Sequence, residues 1–256
     1  MGATFQEHDY FNAARPVVLA HRGGSTFTEN TIEAFNASAQ AGVFSIETDV
    51  RTTKDGVAIL FHDADLLRVA GINKKISEIN YSDIQNIELI GGGRVPTLVQ
   101  ALQALPLMRF NLDIKDEQSV EPTAEAIELT KAHQRVLVSS FSEKRRVATL
   151  SLMSKPVATS ASSSIVLSLW LFHVLGLPQR FFLNKLRGIG ALQIPRSMYG
   201  IRFDSRSFIS KIRKTGTEIH YWTINNPQEM LELTELGATG IVSDVSELAV
   251  ETLRKA

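Results

Sequence analysis

Eight short apolar, β-rich runs recur along this chain with helical patterns between them, and that alternation limits the folds open to it more than any other feature. The runs lie at 17–20, 44–50, 109–114, 136–141, 157–160, 191–194, 218–224 and 240–243. Over 256 residues they give strand-then-helix units of about 32 residues, which predicts a parallel sheet. Eight such units predict closure into a (β/α)8 TIM barrel of the α/β class rather than an open sheet, and this length is ordinary for one barrel. No long low-complexity linker divides the sequence, so residues 1–256 are expected to form a single barrel domain.

Local signals punctuate the helices. Asn30 with Glu33 three residues on reads as an N-cap and capping box, and Gly42 stops that helix. Asn226-Pro227 opens a helix over 228–236, and Gly237 follows its end. Two stretches break the alternation. After the second strand, Lys54-Asp55-Gly56 reads as a tight turn into a short strand at 57–61. Residues 65–94 then read as irregular and polar, ending in Gly91-Gly92-Gly93, and form a small excursion above the C-terminal rim of the barrel.

The second departure is 163–187. From Ile165 to Leu175 only Ser168 and His173 interrupt apolar residues, and Arg180, Lys185 and Arg187 follow among phenylalanines. The run is too short to span a bilayer. As a helix it is apolar all round, so it is either buried or faces something apolar. It is thus an outer barrel helix with a hydrophobic cover, or a lid touching an acyl chain or a membrane surface with the cations near head groups.

Composition narrows the function classes. Lys plus Arg and Asp plus Glu both number 27, so the chain lacks the basic excess of a nucleic-acid protein. There is no cysteine, which removes disulfides, thiolate metal sites and a cysteine nucleophile. Met1 to Arg15 has no apolar core of the kind a secretory signal needs, and Gln6 breaks the myristoylation pattern begun by Gly2. These readings favour the cytoplasm, with peripheral membrane contact through 163–187.

Catalytic residues of an α/β barrel come from the C-terminal ends of its strands. The first strand ends in His21-Arg22-Gly23-Gly24, the second carries Glu47-Thr48-Asp49, the short added strand ends in His62-Asp63, and the third carries Asn111-Leu112-Asp113-Ile114-Lys115. Side chains two apart on a strand share a face, so Glu47 and Asp49 share one, as do Asn111, Asp113 and Lys115. Three carboxylates converging on the barrel mouth would require a cation, and an oxygen-only set suits Mg²⁺ or Ca²⁺. Two histidines supply a proton donor and acceptor near neutral pH, and Arg22 and Lys115 add charge for an anion. A phosphate ester is the substrate class this set suits. A single strand-end histidine is more often merely packed; the ordered conjunction of all four blocks argues for chemistry.

These blocks resemble the glycerophosphodiester phosphodiesterase family. His21-Arg22-Gly23-Gly24 with Glu29-Asn30-Thr31 looks like its opening motif. Glu47-Thr48-Asp49-Val50, Thr53-Lys54-Asp55-Gly56 and His62-Asp63 with Leu66 and Arg68 match the second block, and Asn111–Lys115 the third. Trp222-Thr223-Ile224-Asn225 and Gly240-Ile241-Val242-Ser243-Asp244 match the closing blocks, so the resemblance covers about residues 17 to 250. It implies hydrolysis of a glycerophosphodiester to an alcohol and glycerol 3-phosphate, in lipid or glycerol metabolism. His21 and His62 would then be the acid–base pair, and Glu47, Asp49 and Asp113 the ligands of one divalent cation. Arg22 and Lys115 would contact phosphate, Trp222 would line the substrate pocket, and Glu29 and Asn30 would support the site. Thr28 stands where the family usually has Pro, Asp113 where it has Glu, and Ser243 where it has Thr. The shorter Asp113 bears on metal preference. The apolar segment keeps a lysophospholipase D acting on lysophospholipids in play, and a catalytically silent, membrane-associated barrel is the alternative of another class.

Overall fold

The computed structural model describes residues 8–254. Residues 1–7, on which the leader and myristoylation readings partly rest, and 255–256 lie outside the described part. The strands are β1 (Val17–His21), β2 (Ser45–Thr52), β3 (Ala58–Leu60), β4 (Arg109–Ile114), β5 (Val136–Ser139), β6 (Ala158–Thr159), β7 (Ala191–Pro195), β8 (Ser197–Met198), β9 (Ile201–Arg202), β10 (Glu218–Trp222) and β11 (Gly240–Ser243). The helices are α1 (Ile32–Gln40), α2 (Leu67–Ala70), α3 (Tyr81–Ile84), α4 (Leu98–Ala104), α5 (Val120–Thr130), α6 (Glu143–Ser151), α7 (Ser163–Val174), α8 (Gln179–Lys185), α9 (Arg206–Arg213), α10 (Pro227–Leu236) and α11 (Ser246–Arg254).

Eight parallel strands follow one another in the order β6-β5-β4-β2-β1-β11-β10-β7. The two ends of that order meet at one parallel bridge, Ser160 to Ala191, so the sheet is a nearly closed (β/α)8 barrel. Strand alternation sorts the side chains. On one half Ile46, Val50, Phe110, Leu112 and Ile114 pack outward on Leu98 and Leu102 of α4 and Ile127 of α5. On the other, Ile194, Ile219, Tyr221 and Ile241 pack on Leu169, Phe182, Phe208 and Leu233. The alternate positions are left for the interior. Register aligns His21 with Glu47 and Asn111, and Asp49 with Asp113 and Ser139.

Two sequence readings are corrected here, and a third is refined. Thr31, not Asn30, caps α1, its hydroxyl accepting from the Ala34 N–H; Asn30 is buried with φ +59°, committed to the site below, so no box forms with Glu33. The excursion after β2 is not polar throughout: Phe61, Leu66, Val69, Ile76, Ile84 and Leu89 form an apolar cluster of their own beneath its polar exterior. The 163–187 segment is two helices, α7 and α8, with a turn between them. No helix among the described residues is long and apolar enough to cross a membrane.

The barrel floor is closed by the chain's start. A 3-10 turn at Asp9–Phe11 buries Tyr10 and Phe11 against Leu137, Ala158 and Ala191. Arg15 Nε then donates to both carboxylate oxygens of Glu218 on β10, at 2.7 and 2.8 Å. A Cβ on Gly190 would meet the Phe11 ring at 2.2 Å. Gly190→Ala should therefore destabilise the protein by about 1–3 kcal/mol, the usual cost of overpacking a core. Adding Phe11→Ala should cost less than the two single effects combined, as coupled neighbours do; thermal melts of the three variants measure this.

Candidate active site

β1 delivers His21 to the rim, and the chain must then turn sharply to keep Arg22 there. Arg22, Gly23 and Gly24 all have positive φ. Gly23 is obligatory, because a Cβ would lie 2.8 Å from both Ala34 Cβ and Phe35 Cδ1. The Arg22 N–H donates to the Glu47 carbonyl at 2.7 Å, and its own carbonyl accepts from the Asn30 N–H at 2.8 Å. Asn30 is thereby placed to clamp β2: its Nδ2 donates to Asp49 Oδ2 at 3.2 Å and its Oδ1 accepts from the Thr48 hydroxyl at 2.7 Å.

A cavity of about 480 Å³ opens at the C-terminal end of the barrel, and His21, Arg22, Glu47, Asp49, His62, Asp113, Lys115 and Trp222 all line it. Each candidate catalytic, metal-ligating and substrate-binding residue thus reaches one space, while Glu29 and Asn30 stand behind its wall. Its polar wall comes from β1, β2, β4 and the excursion. The opposite wall is apolar: Phe141, Val166, Leu167, Ile194, Ile201 and Phe203. Trp222 sits at the seam, its ring edge-on to Phe141 with centroids 6.0 Å apart.

The two histidines are oriented alike. His21 Nδ1 lies 2.6 Å from Asp244 Oδ1, and His62 Nδ1 lies 2.7 Å from Asp63 Oδ1. Opposite a carboxylate, Nδ1 is the donor, which leaves each Nε2 for another partner. Burial opposes charge on His21, but the Asp244 bond and the nearby Glu47 outweigh it and raise its pKa above the ordinary value. Asp244, which is held below the carboxylate range chiefly by that same bond, is fixed in turn by Asn225 Nδ2 at 2.7 Å. His62 belongs to the excursion, whose chain is tied to the barrel where Arg51 Nε donates to the His62 carbonyl at 2.8 Å. Arg68 Nε binds Asp63 at 2.6 Å, and its two terminal nitrogens bind Glu29 at 2.7 and 2.8 Å. Glu29 also accepts from Arg22, at 3.1 Å. A chain of ion pairs therefore runs from Arg22 through Glu29 and Arg68 to Asp63, which is hydrogen-bonded to His62.

The carboxylates do not all share one surrounding. Lys115 Nζ stands 2.7 Å from Asp49 Oδ1 and 2.7 Å from Asp113 Oδ2, bridging them. Burial would raise Asp49, but Lys115 and Arg22, whose Nε is 3.3 Å from Asp49 Oδ2, hold it below the usual range. Burial prevails at Asp113 and raises it. Glu47 has no such cation. It is pushed up to about 7 by burial and then by the charge of Asp49, and its Oε2 is buried with no hydrogen-bond partner. The nearest basic group to that oxygen is His21 Nε2 at 3.7 Å. Among the described residues no three His, Cys, Asp or Glu side chains close into a metal-sized cluster, and Lys115 stands between Asp49 and Asp113.

Sequence reading gave no role to Asp63, Asp244, Asn225 or Arg68, the groups that orient the two histidines. The signal was present: Asp63 adjoins His62, and Asp244 follows the last strand, at the same rim as the other acids.

The glycerophosphoryl diester phosphodiesterase family model matches residues 21–248. A Mycobacterium tuberculosis protein named probable glycerophosphodiester phosphodiesterase 2 is 35% identical, the match covering 93% of this chain and 90% of that one. A human lysophospholipase D is 25% identical, over 88% of this chain and 82% of its own. An Oleispira antarctica phosphodiesterase, solved with its product sn-glycerol-3-phosphate, superposes with a TM-score of 0.74 at 22% identity, covering 94% of this chain and 97% of that one. The match of the family model over most of the barrel, with a relative this similar along nearly its whole length, establishes that the chain belongs to the glycerophosphoryl diester phosphodiesterase family and is a phosphodiesterase.

Proposed function

We propose that this enzyme, a single barrel domain acting in the cytoplasm in lipid or glycerol metabolism, hydrolyses glycerophosphodiesters to an alcohol and glycerol 3-phosphate. His21 and His62 would be its acid–base pair. The observation that carries the reading is the pair of histidines, each held at Nδ1 by its own aspartate, facing one cavity with Arg22, Lys115 and three acids. One histidine accepts the proton of the nucleophile, and the other donates a proton to the leaving alcohol oxygen; water gives glycerol 3-phosphate directly, whereas attack by the substrate's own 2-hydroxyl gives a cyclic phosphate that water opens in a second step. Arg22 and Lys115 bind the non-bridging phosphate oxygens, and Trp222 lines the glycerol or head-group side.

Glu47, Asp49 and Asp113 would hold one divalent cation, Mg²⁺ or Ca²⁺. The orphaned, buried Oε2 of Glu47 and the all-oxygen donor set fit a hard ion, and holding it through Asp49 and Asp113 as well would require Lys115, 2.7 Å from both, to move off them. When bound, such an ion supplies positive charge to the phosphoryl oxygens. A second reading, lysophospholipase D action, is favoured by the apolar wall, which offers an acyl chain a surface beside the polar one. On that reading the 163–187 segment makes peripheral membrane contact.

The deciding assay is release of glycerol 3-phosphate from glycerophosphocholine and glycerophosphoethanolamine with Mg²⁺, Ca²⁺ or EDTA, alongside choline release from lysophosphatidylcholine. Metal-dependent glycerol 3-phosphate, abolished by EDTA, is expected; turnover of the lysolipid alone would transfer the assignment to the second reading. Replacing His21 or His62 by Ala should lower kcat roughly 10²–10⁴-fold with unchanged melting, the usual worth of a positioned acid or base. Wild-type turnover in both would refute their roles. Asp244→Asn removes the group that raises His21. The pH-rate limb belonging to His21 should shift to lower pH in that variant, because its protonated form is then lost earlier as pH rises.

A further inference from the structure

Helix α7 is apolar on two opposite sides. Ile165, Val166 and Leu169 face the core. Leu167, Leu171, Val174 and Leu175, spaced i, i+4, i+7 and i+8, form a stripe 56, 46, 57 and 62% exposed. A stripe this long facing water is costly for an isolated surface helix. It is not placed at random: Leu167, its first residue, also lines the active-site cavity, so the stripe begins at the cavity mouth. The mouth bears a second exposed apolar element. Met198 and Tyr199, at the tip of the β8–β9 hairpin, line the same cavity, and Tyr199 is 95% exposed. The hairpin is braced at its base, where Arg196 binds Asp204, Glu229 and Glu232 at 2.7–3.0 Å.

Charge is distributed to match. The chain is neutral overall, yet residues 163–217 carry nine Lys and Arg against one acid, Asp204; of these Arg196 and Arg202 are paired with acids and Arg213 donates to the Thr217 carbonyl, which leaves the cations that follow the stripe in the chain. Arg180 lies over the Phe181 ring, 5.4 Å from its centroid, and Arg180, Lys185 and Arg187 have no carboxylate within ion-pair distance among the described residues. Apolar side chains that can enter the acyl boundary, a tyrosine at interfacial depth and unpaired cations following them in the chain are what an anionic lipid surface selects.

We propose that the cavity mouth docks on an anionic bilayer through the α7 stripe and the tip of the β8–β9 hairpin, so that the active site opens onto the lipid surface. This deepens the reading above by naming the partner of that site, and it rests on that reading only for the direction in which substrate enters. The neighbouring cations give the first, salt-sensitive attraction, and the stripe supplies the apolar anchoring.

The test is co-sedimentation with phosphatidylcholine vesicles, with and without phosphatidylglycerol, at low and high salt. Wild-type protein should pellet with the anionic vesicles and be released by salt. Leu171→Asp combined with Leu175→Asp, neither of which lines the cavity, should weaken that partitioning about tenfold or more. The same variant should hydrolyse soluble glycerophosphoethanolamine as wild type does, and should melt as wild type does, which reports folding even if that substrate is not turned over. Arg180→Ser with Lys185→Ser should lose binding to the anionic vesicles while leaving the melt unchanged. Wild-type protein that stays in the supernatant, or a stripe variant that pellets undiminished, would overturn the proposal. So would a wild-type dimer that the stripe variant turns into a monomer, since a second copy would then cover the stripe.

Discussion

The barrel mouth depends on one ammonium group. Asp49 and Asp113 sit side by side on adjacent strands, buried, and two such carboxylates cannot both stay ionised without positive charge between them. Lys115, two residues beyond Asp113 on the same strand face, reaches both at 2.7 Å. Arg22 supports Asp49 from the other side at 3.3 Å, and its position depends in turn on the left-handed turn that Gly23 allows. Glu47 is the one acid of the three with no cation in contact, and burial together with the charge of Asp49 raises its proton affinity.

Much of this was legible in the chain because period and position carry it. The strand ends bearing His21, Glu47, Asp49 and Asp113 follow from alternation of two and from where barrel strands stop. What stayed hidden was the pairing of distant residues. Its position after the last strand puts Asp244 at the rim, but its partner is not written locally; the register of β1 with β11 brings it to His21. Asn30 misled for a related reason. By sequence it is a good helix cap, but the buried Asp49 and Thr48 engage its side chain and Thr31 caps instead. Tertiary demand overrode a local preference. The excursion misled because its apolar residues are spaced irregularly and fill a small core of their own, so no helix or strand period announces them.

The excursion also explains how one catalytic candidate outside the barrel can be as well placed as those on it. His62 has a backbone tie to Arg51 and a side-chain tie to Asp63, and Asp63 is locked through Arg68 to Glu29 on the first barrel loop. The two histidines thus share a mechanical frame although one belongs to β1 and the other follows β3. Substitutions at Arg68 would be felt on both sides of the cavity.

The floor formed by Tyr10, Phe11 and Arg15 has a consequence for how the chain comes into being. Arg15 meets Glu218 across 203 residues, and β1 lies against β11, the last strand. A ribosome therefore exposes the first strand long before its partner exists. Until the final strands emerge, β1 presents an unpaired edge and the floor aromatics have no complete barrel to close, which leaves the nascent chain dependent on whatever shields apolar surface in the meantime.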